Sequence, residues 1–155
     1  MIDVDMELRI TDYRLNGLAG EVRQKAGALV RRTAFAVERG AKVDAPVDTG
    51  FLRNSIYTVT DRDNGHDLAL ASATRLGAKR HAGERRSSLT GEWRSTEGLM
   101  LDAVEEADLP GDLTAIVAVG AEYGIHVEYL HKPFFTTAVD NARRDWDAGL
   151  RELFE

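Results

Sequence analysis

The stretch Ala45–Ile56, APVDTGFLRNSI, decides how the rest of the chain is read. Pro46 disfavours helical geometry at Ala45, so whatever helix precedes it must stop there. The residues before it do read as a helix. From roughly Asn16 to Asp44, Val22, Ala26, Leu29, Val30, Thr33 and Val37 recur at three- and four-residue spacing, which draws an apolar stripe along one side. At 1.5 Å per residue that helix reaches about 40 Å. Upstream, Val4, Met6, Leu8 and Ile10 alternate with Asp3, Asp5, Glu7 and Arg9. Period two predicts a strand with one buried face. Downstream, Ser55–Thr60 and Leu68–Ser72 read as two strands, and Asn64-Gly65 between them is a hairpin turn signal.

Pattern fades from residue 74 to 111. Between Thr74 and Arg94 there are six Lys/Arg and two acids, and between Glu97 and Asp112 six acids and no base. So long and so charged a connection is unusual in a compact domain, which marks it as a functional excursion. With little apolar surface to offset its ordering entropy, it is expected to order only against a partner. LMLDAVEEA (99–107) reads as a short helix inside it. The β-branched run LTAIVAV (113–119) predicts a strand that Gly120 ends. Pro133 suits the first turn of a final helix, with Phe135, Ala138, Val139, Ala142, Trp146, Leu150 and Leu153 along its apolar side. The expectation is one α+β domain over 1–155, with 74–111 as a charged loop insertion. A long N-terminal and a C-terminal helix pack on one face of an antiparallel sheet of about four strands.

Composition narrows the function. With 155 residues, 43% hydrophobic and 30% charged, the chain suits one folded domain. It has no cysteine, which excludes disulfides and thiolate metal sites. No apolar run approaches the ~20 residues of a membrane span, and the acidic N-terminus lacks a signal peptide's apolar stretch. A net charge of −6 argues against a general nucleic-acid coat.

Three chemistries rest on particular residues. Asp48-Thr49-Gly50 is the tripeptide in which aspartic proteases carry their catalytic aspartate. That chemistry needs a second carboxylate close by to share a proton, and no second such tripeptide exists here. The structural reading is that Asp48 or Thr49 caps a following turn while Gly50 relieves the backbone. His126, Glu128 and His131 match no standard metal-ligand spacing. Trp93 with the basic residues around it suggests nucleic-acid contact. A charged arm facing an acidic partner fits the net charge better. No catalytic residue and no cofactor is expected.

The Ala45–Ile56 stretch resembles the signature of a family of long-tailed bacteriophage proteins, described as tail components or neck (tail-completion) proteins. There a long first helix ends in an Ala-Pro-x-Asp-Thr-Gly-x-Leu-Arg-x-Ser-Ile-like segment. Ala45, Pro46, Asp48, Thr49, Gly50, Leu52, Arg53, Ser55 and Ile56 match it. The second block of that family is a Val-x-Val-Gly strand end, a Tyr-Ala-x-Tyr-Val-Glu segment and Pro-Phe-Leu-x-x-Ala before a C-terminal helix. Val117, Val119, Gly120, Tyr123, Val127, Glu128, Pro133, Phe134 and Ala138 correspond. His126 stands where the second Tyr is usual, Phe135 replaces the Leu, and the Gly-Thr that often follows the Glu is missing. The resemblance implies a non-enzymatic virion protein, assembled in the host cytoplasm. It would form a ring around the DNA channel, six-fold to match the tail tube, and touch head-closure, tail-terminator or tail-tube proteins. DNA would pass through without specific binding. Arg75, Lys79, Arg80, Arg85, Arg86 and Arg94 are the expected partner-binding residues. Two other readings stand beside it: a tail terminator ring of the same connector, and a cytoplasmic nucleic-acid-binding protein using the basic residues.

Overall fold

The computed structural model of the chain describes residues 20–47, 50–81, 84–86, 93–95, 103 and 110–153, with the side chains of 76–81, 84–86 and 93–95 left aside. The alternating segment 3–10, residues 16–19 of the expected first helix and most of 99–107 lie outside the described residues.

The first helix, α1, runs Gly20–Asp44. Its stripe Ala26, Leu29, Val30, Thr33, Ala34, Val37 and Ala41 is buried. The Ala45 amide still donates to the Ala41 carbonyl, at 2.8 Å, and Pro46 then ends the helix. A single-turn helix α2 (Phe51–Asn54) and strand β1 (Ile56–Val59) follow. β1 pairs antiparallel with β4 (Ile116–Val119), with Ile56 opposite Val119 and Val59 opposite Ile116. These two strands come from distant parts of the sequence and form one sheet. Its two faces differ. Ile56, Val117 and Val119 join a core with Val37, Ala41, Phe51, Leu52, Phe134, Phe135 and Ala138. Tyr57, Val59, Ile116 and Ala118 lie on the other face with Ala69. Glu38 ties α1 to the sheet. Its carboxylate accepts the buried Thr58 hydroxyl at 2.6 Å, so that polar group is satisfied where water is excluded.

The final helix, α5 (Phe135–Glu152), packs against α1. Small residues permit a close approach. A Cβ on Gly40 would stand 3.1 Å from that of Ala138, and one on Gly149 would meet the Leu29 side chain. A short helix α4 (Gly124–Leu130) links β4 to α5.

The expected architecture holds as an α+β domain whose long N-terminal and C-terminal helices pack together beside an antiparallel sheet. Its finer parts need correction. Leu68–Ser72 is not a strand; it lies inside helix α3 (His66–His81). The alternating residues Leu68 and Leu70 are 76% and 39% exposed. Ala69 and Ala73, four apart, turn inward instead, as one side of a helix does. Asn64-Gly65 accordingly closes no hairpin. The Asn64 side-chain oxygen accepts the His66 amide at 3.1 Å, an N-cap-type contact at the start of α3. Nor is the stretch from residue 74 irregular throughout. It contains the rest of α3 and two paired strands, β2 (Glu84–Arg86) and β3 (Trp93–Ser95). Among the described residues each of the two sheets has two strands, where one sheet of about four was expected.

Candidate functional site

The two blocks of sequence that carry the family resemblance meet in space. Gly50 has φ 82°, a left-handed conformation that costs other residues strain. It opens α2, and the Asn54 side chain returns to its carbonyl at 2.6 Å. Phe51 and Leu52 are buried. Ser55, fully buried, is the joint. Its hydroxyl donates to the Leu52 carbonyl at 2.8 Å and accepts the Ala121 amide at 3.0 Å. Its carbonyl accepts the Gly120 amide at 2.9 Å. The turn between α2 and β1 and the turn after β4 are thereby locked to each other. The Phe51 and Tyr123 rings lie tilted against each other with centroids 6.3 Å apart. A Cβ on Gly124 would lie 2.6 Å from a Val119 methyl and 3.4 Å from Leu52, so only glycine fits this approach undisturbed.

Glu128 has an equally definite place. The amides of Lys132 and His131 both fold back to the Val127 carbonyl at 3.1 Å, which tightens the short 129–132 link. The Glu128 carboxylate then reaches the start of α5. One oxygen accepts the Phe134 and Phe135 amides at 2.8 and 2.9 Å, and the other accepts Thr136 at 2.9 Å. These are amides that a helix cannot satisfy itself, and a negative charge there also opposes the helix dipole. Burial works to raise the Glu128 pKa, but the hydrogen bonds from Thr136, Phe135 and Phe134 outweigh it and hold the group below its ordinary value. Phe134 is buried beneath this cap and Pro133 is exposed beside it.

Several expected site residues are not brought to one place. Asp48 and Thr49 lie outside the described residues. Pro46 and Arg53 are exposed. Arg53 borders a shallow cleft with Phe35, Glu38, Arg39, Lys42 and Val43. Arg75 is exposed on α3. Lys79 and Arg80 follow it on the same helix, and the backbones of Arg85 and Arg94 stand opposite each other in the β2–β3 pair, with Arg86 opposite Trp93. The side chains of these five lie outside the described residues.

Other features had no local signal in the sequence. Arg23 grips Asp112 through two bonds of 2.7 and 2.9 Å, tying α1 to the turn before β4. The Asp112 carboxyl is held below its ordinary value, chiefly by this hydrogen bond. Arg31 pairs with Asp61 at 3.1 Å. Large apolar side chains stay exposed at Phe35, Val43, Val47, Tyr129 and Leu130. The Lys132 ammonium donates to the Asp44 carbonyl at 3.2 Å, so the ends of α1 and α4 that carry Val43 and Leu130 are neighbours. Among the described residues no group of three His, Cys, Asp or Glu side chains is placed to hold a metal ion, and no helix is long and apolar enough to cross a membrane.

Compared with models of known families, with curated proteins and with solved structures, the chain matches none.

Proposed function

We propose that this chain is a structural, non-enzymatic virion protein of a tailed bacteriophage, part of the neck or tail-completion ring around the DNA channel. The observation that carries the reading is the convergence of the two signature blocks on one junction. Ser55 bonds the Gly120–Ala121 turn, Gly50 supplies the left-handed residue, and Glu128 caps the start of α5, which Pro133 and Phe134 precede. A chance likeness between two short stretches would not need them to meet. The junction is largely framework: it holds carboxylates and amides in satisfied bonds rather than free groups aimed into a cleft.

On this reading the work is done by surfaces. The exposed apolar residues at the joined ends of α1 and α4 are surfaces for neighbouring subunits of a closed six-fold ring. Arg75, Lys79, Arg80, Arg85, Arg86 and Arg94 face acidic patches on an adjacent subunit or ring, the arrangement expected of head-to-tail contacts. The net charge of −6 suits a channel wall, because Lys and Arg there would pair with phosphates and slow the DNA. Cryo-electron microscopy of the virion encoded with this chain tests the proposal. The expected result is density for the chain as a closed ring at the neck or tail end. Absence from the particle, or presence as a lone accessory subunit, overturns it.

A further inference from the structure

Asn64-Gly65 closes no hairpin, yet the pair carries a chemistry of its own. In an open chain an asparagine followed by glycine tends to close on itself. The glycine nitrogen bonds to the asparagine Cγ, the bond from Cγ to the side-chain nitrogen breaks, and ammonia leaves. Water then opens the resulting succinimide at either carbonyl, giving aspartate or isoaspartate. No oxidant or reductant is needed. Glycine favours the reaction because it has no Cβ to hinder the nitrogen and its backbone turns freely. Asn64 is exposed to the water that the last step consumes.

The fold holds both reacting groups away from this path. The Gly65 amide donates to the Thr58 carbonyl at 3.0 Å, so the nitrogen that must attack is engaged by β1. The Asn64 side-chain oxygen accepts the His66 amide at 3.1 Å, which fixes the carboxamide that must be attacked. The backbone is anchored on either side. Asn64 bridges antiparallel to Val59, and the Gly65 carbonyl accepts the Ala69 amide at 3.0 Å as the first bond of α3. Space is short as well: a Cβ on Gly65 would stand 3.0 Å from the Thr58 oxygen and 3.3 Å from the Tyr57 Cβ. Ring closure swings the Asn64 backbone until the nitrogen meets Cγ, and it must break these bonds first. Behind them Ala69 packs with Tyr57 and Val59, and the buried His66 meets Tyr57 edge-on with ring centroids 5.3 Å apart. These contacts set how often the start of α3 opens.

The two products do not fit alike. Aspartate keeps an oxygen where Asn64 has one, caps a helix as well as asparagine does, and puts its charge at the favourable end of α3. Isoaspartate routes the main chain through the former side chain, which adds a methylene between the Val59–Asn64 bridge and the Gly65 amide. That bridge and the Gly65–Thr58 bond cannot then both form in the present register.

We propose that Asn64-Gly65 is a site of spontaneous deamidation gated by the start of α3. Closed, the fold preserves the asparagine; open, the pair converts, and the isoaspartate form cannot close again. The inference rests on the fold and is independent of the virion reading. The sequence holds a second Asn-Gly at Asn16-Gly17, so the test follows the tryptic peptide Asp63–Arg75 of the full chain by mass spectrometry, with chromatographic separation of the isomers. On incubation at mildly alkaline pH, conversion of Asn64 should be about tenfold or more slower in the folded chain than in guanidinium chloride, since opening must come first. Ala69→Gly, which weakens the first turns of α3, should speed conversion in native buffer and leave the rate in denaturant unchanged. In the unaltered chain the Gly65 amide should resist hydrogen exchange by a factor comparable to the slowing. Equal rates in the folded and unfolded chain overturn the proposal, as does an Ala69→Gly variant no faster than wild type or a Gly65 amide that exchanges freely. A second measurement follows the products. Asn64→Asp should keep the Gly65 and His66 amides protected, and the purified isoaspartate form should lose that protection. An isoaspartate form that stays protected overturns the one-way step.

Discussion

Glu128 shows how one side chain can hold two helices at a fixed angle. It sits on α4, yet its carboxylate receives three amides of α5. Removing that charge should cost about 1 kcal/mol, the usual value of a lost helix cap. The cost must also depend on pH. The folded-state pKa lies below the ordinary glutamate value of 4.5, so the folded protein binds this proton less readily than the unfolded chain. The stabilisation is therefore complete above that value and is lost as pH falls through the lower, folded one. Glu128→Gln mimics the protonated group. Urea unfolding should show the wild type more stable at neutral pH and the two converging in acid. A gap that persists in acid would assign the loss to shape rather than charge.

At the scale of elements, the contact between α1 and the turn before β4 gives the clearest forecast. Gly27→Ala adds a methyl 2.8 Å from a backbone oxygen that cannot rotate aside, and Arg23 pins the same turn. Alanine gains about 1 kcal/mol of helix propensity, but overpacking costs roughly 1–3 kcal/mol. Thermal unfolding should show a net loss, and a raised melting temperature would refute the close approach. Most elements were legible in the sequence because their signals are local. The stripe of α1, its stop at Pro46, the strands at 56–59 and 116–119 and the row on α5 all follow from period and proline. Helix α3 reads as a strand in the sequence because Leu68, Leu70 and Ser72 alternate, and large apolar residues usually mark the buried side. Here the alanines are buried and the leucines face out. The Ala69–Ala73 spacing and the Asn64 cap were the available signals. Leu52 and Ile56 face the core as their places in the signature suggest. The Ser55 bridge, the Glu128 cap and the Arg23–Asp112 grip were not legible, because each joins residues whose proximity only the tertiary fold creates.

For the molecule as a whole, several large apolar side chains stay exposed, among them Phe35, Val43, Val47, Tyr129 and Leu130. Such residues scattered singly are ordinary, but Val43 and Leu130 sit on helix ends joined by Lys132 and Asp44. The pairing of β1 with β4 has a consequence of another kind. Everything from residue 60 to 115 leaves the sheet between these strands and returns to it. Closing such a loop costs entropy that grows only with the logarithm of its length, about 0.6 kcal/mol per doubling. Its length therefore matters little to the finished structure, while the interlocked halves matter a great deal. Residues 1–90 hold α1, α2, β1, α3 and β2, and residues 91–155 hold β3, β4, α4 and α5. Neither piece alone can cover its apolar side. Produced together as separate polypeptides, they should find each other and rebuild the β1–β4 ladder and the α1–α5 contact, with co-purification and recovered circular dichroism as the readout. If they stay apart, the covalent bridge does more than connect. If they join, the protein is a natural two-piece scaffold into which a foreign sequence can be spliced between the halves.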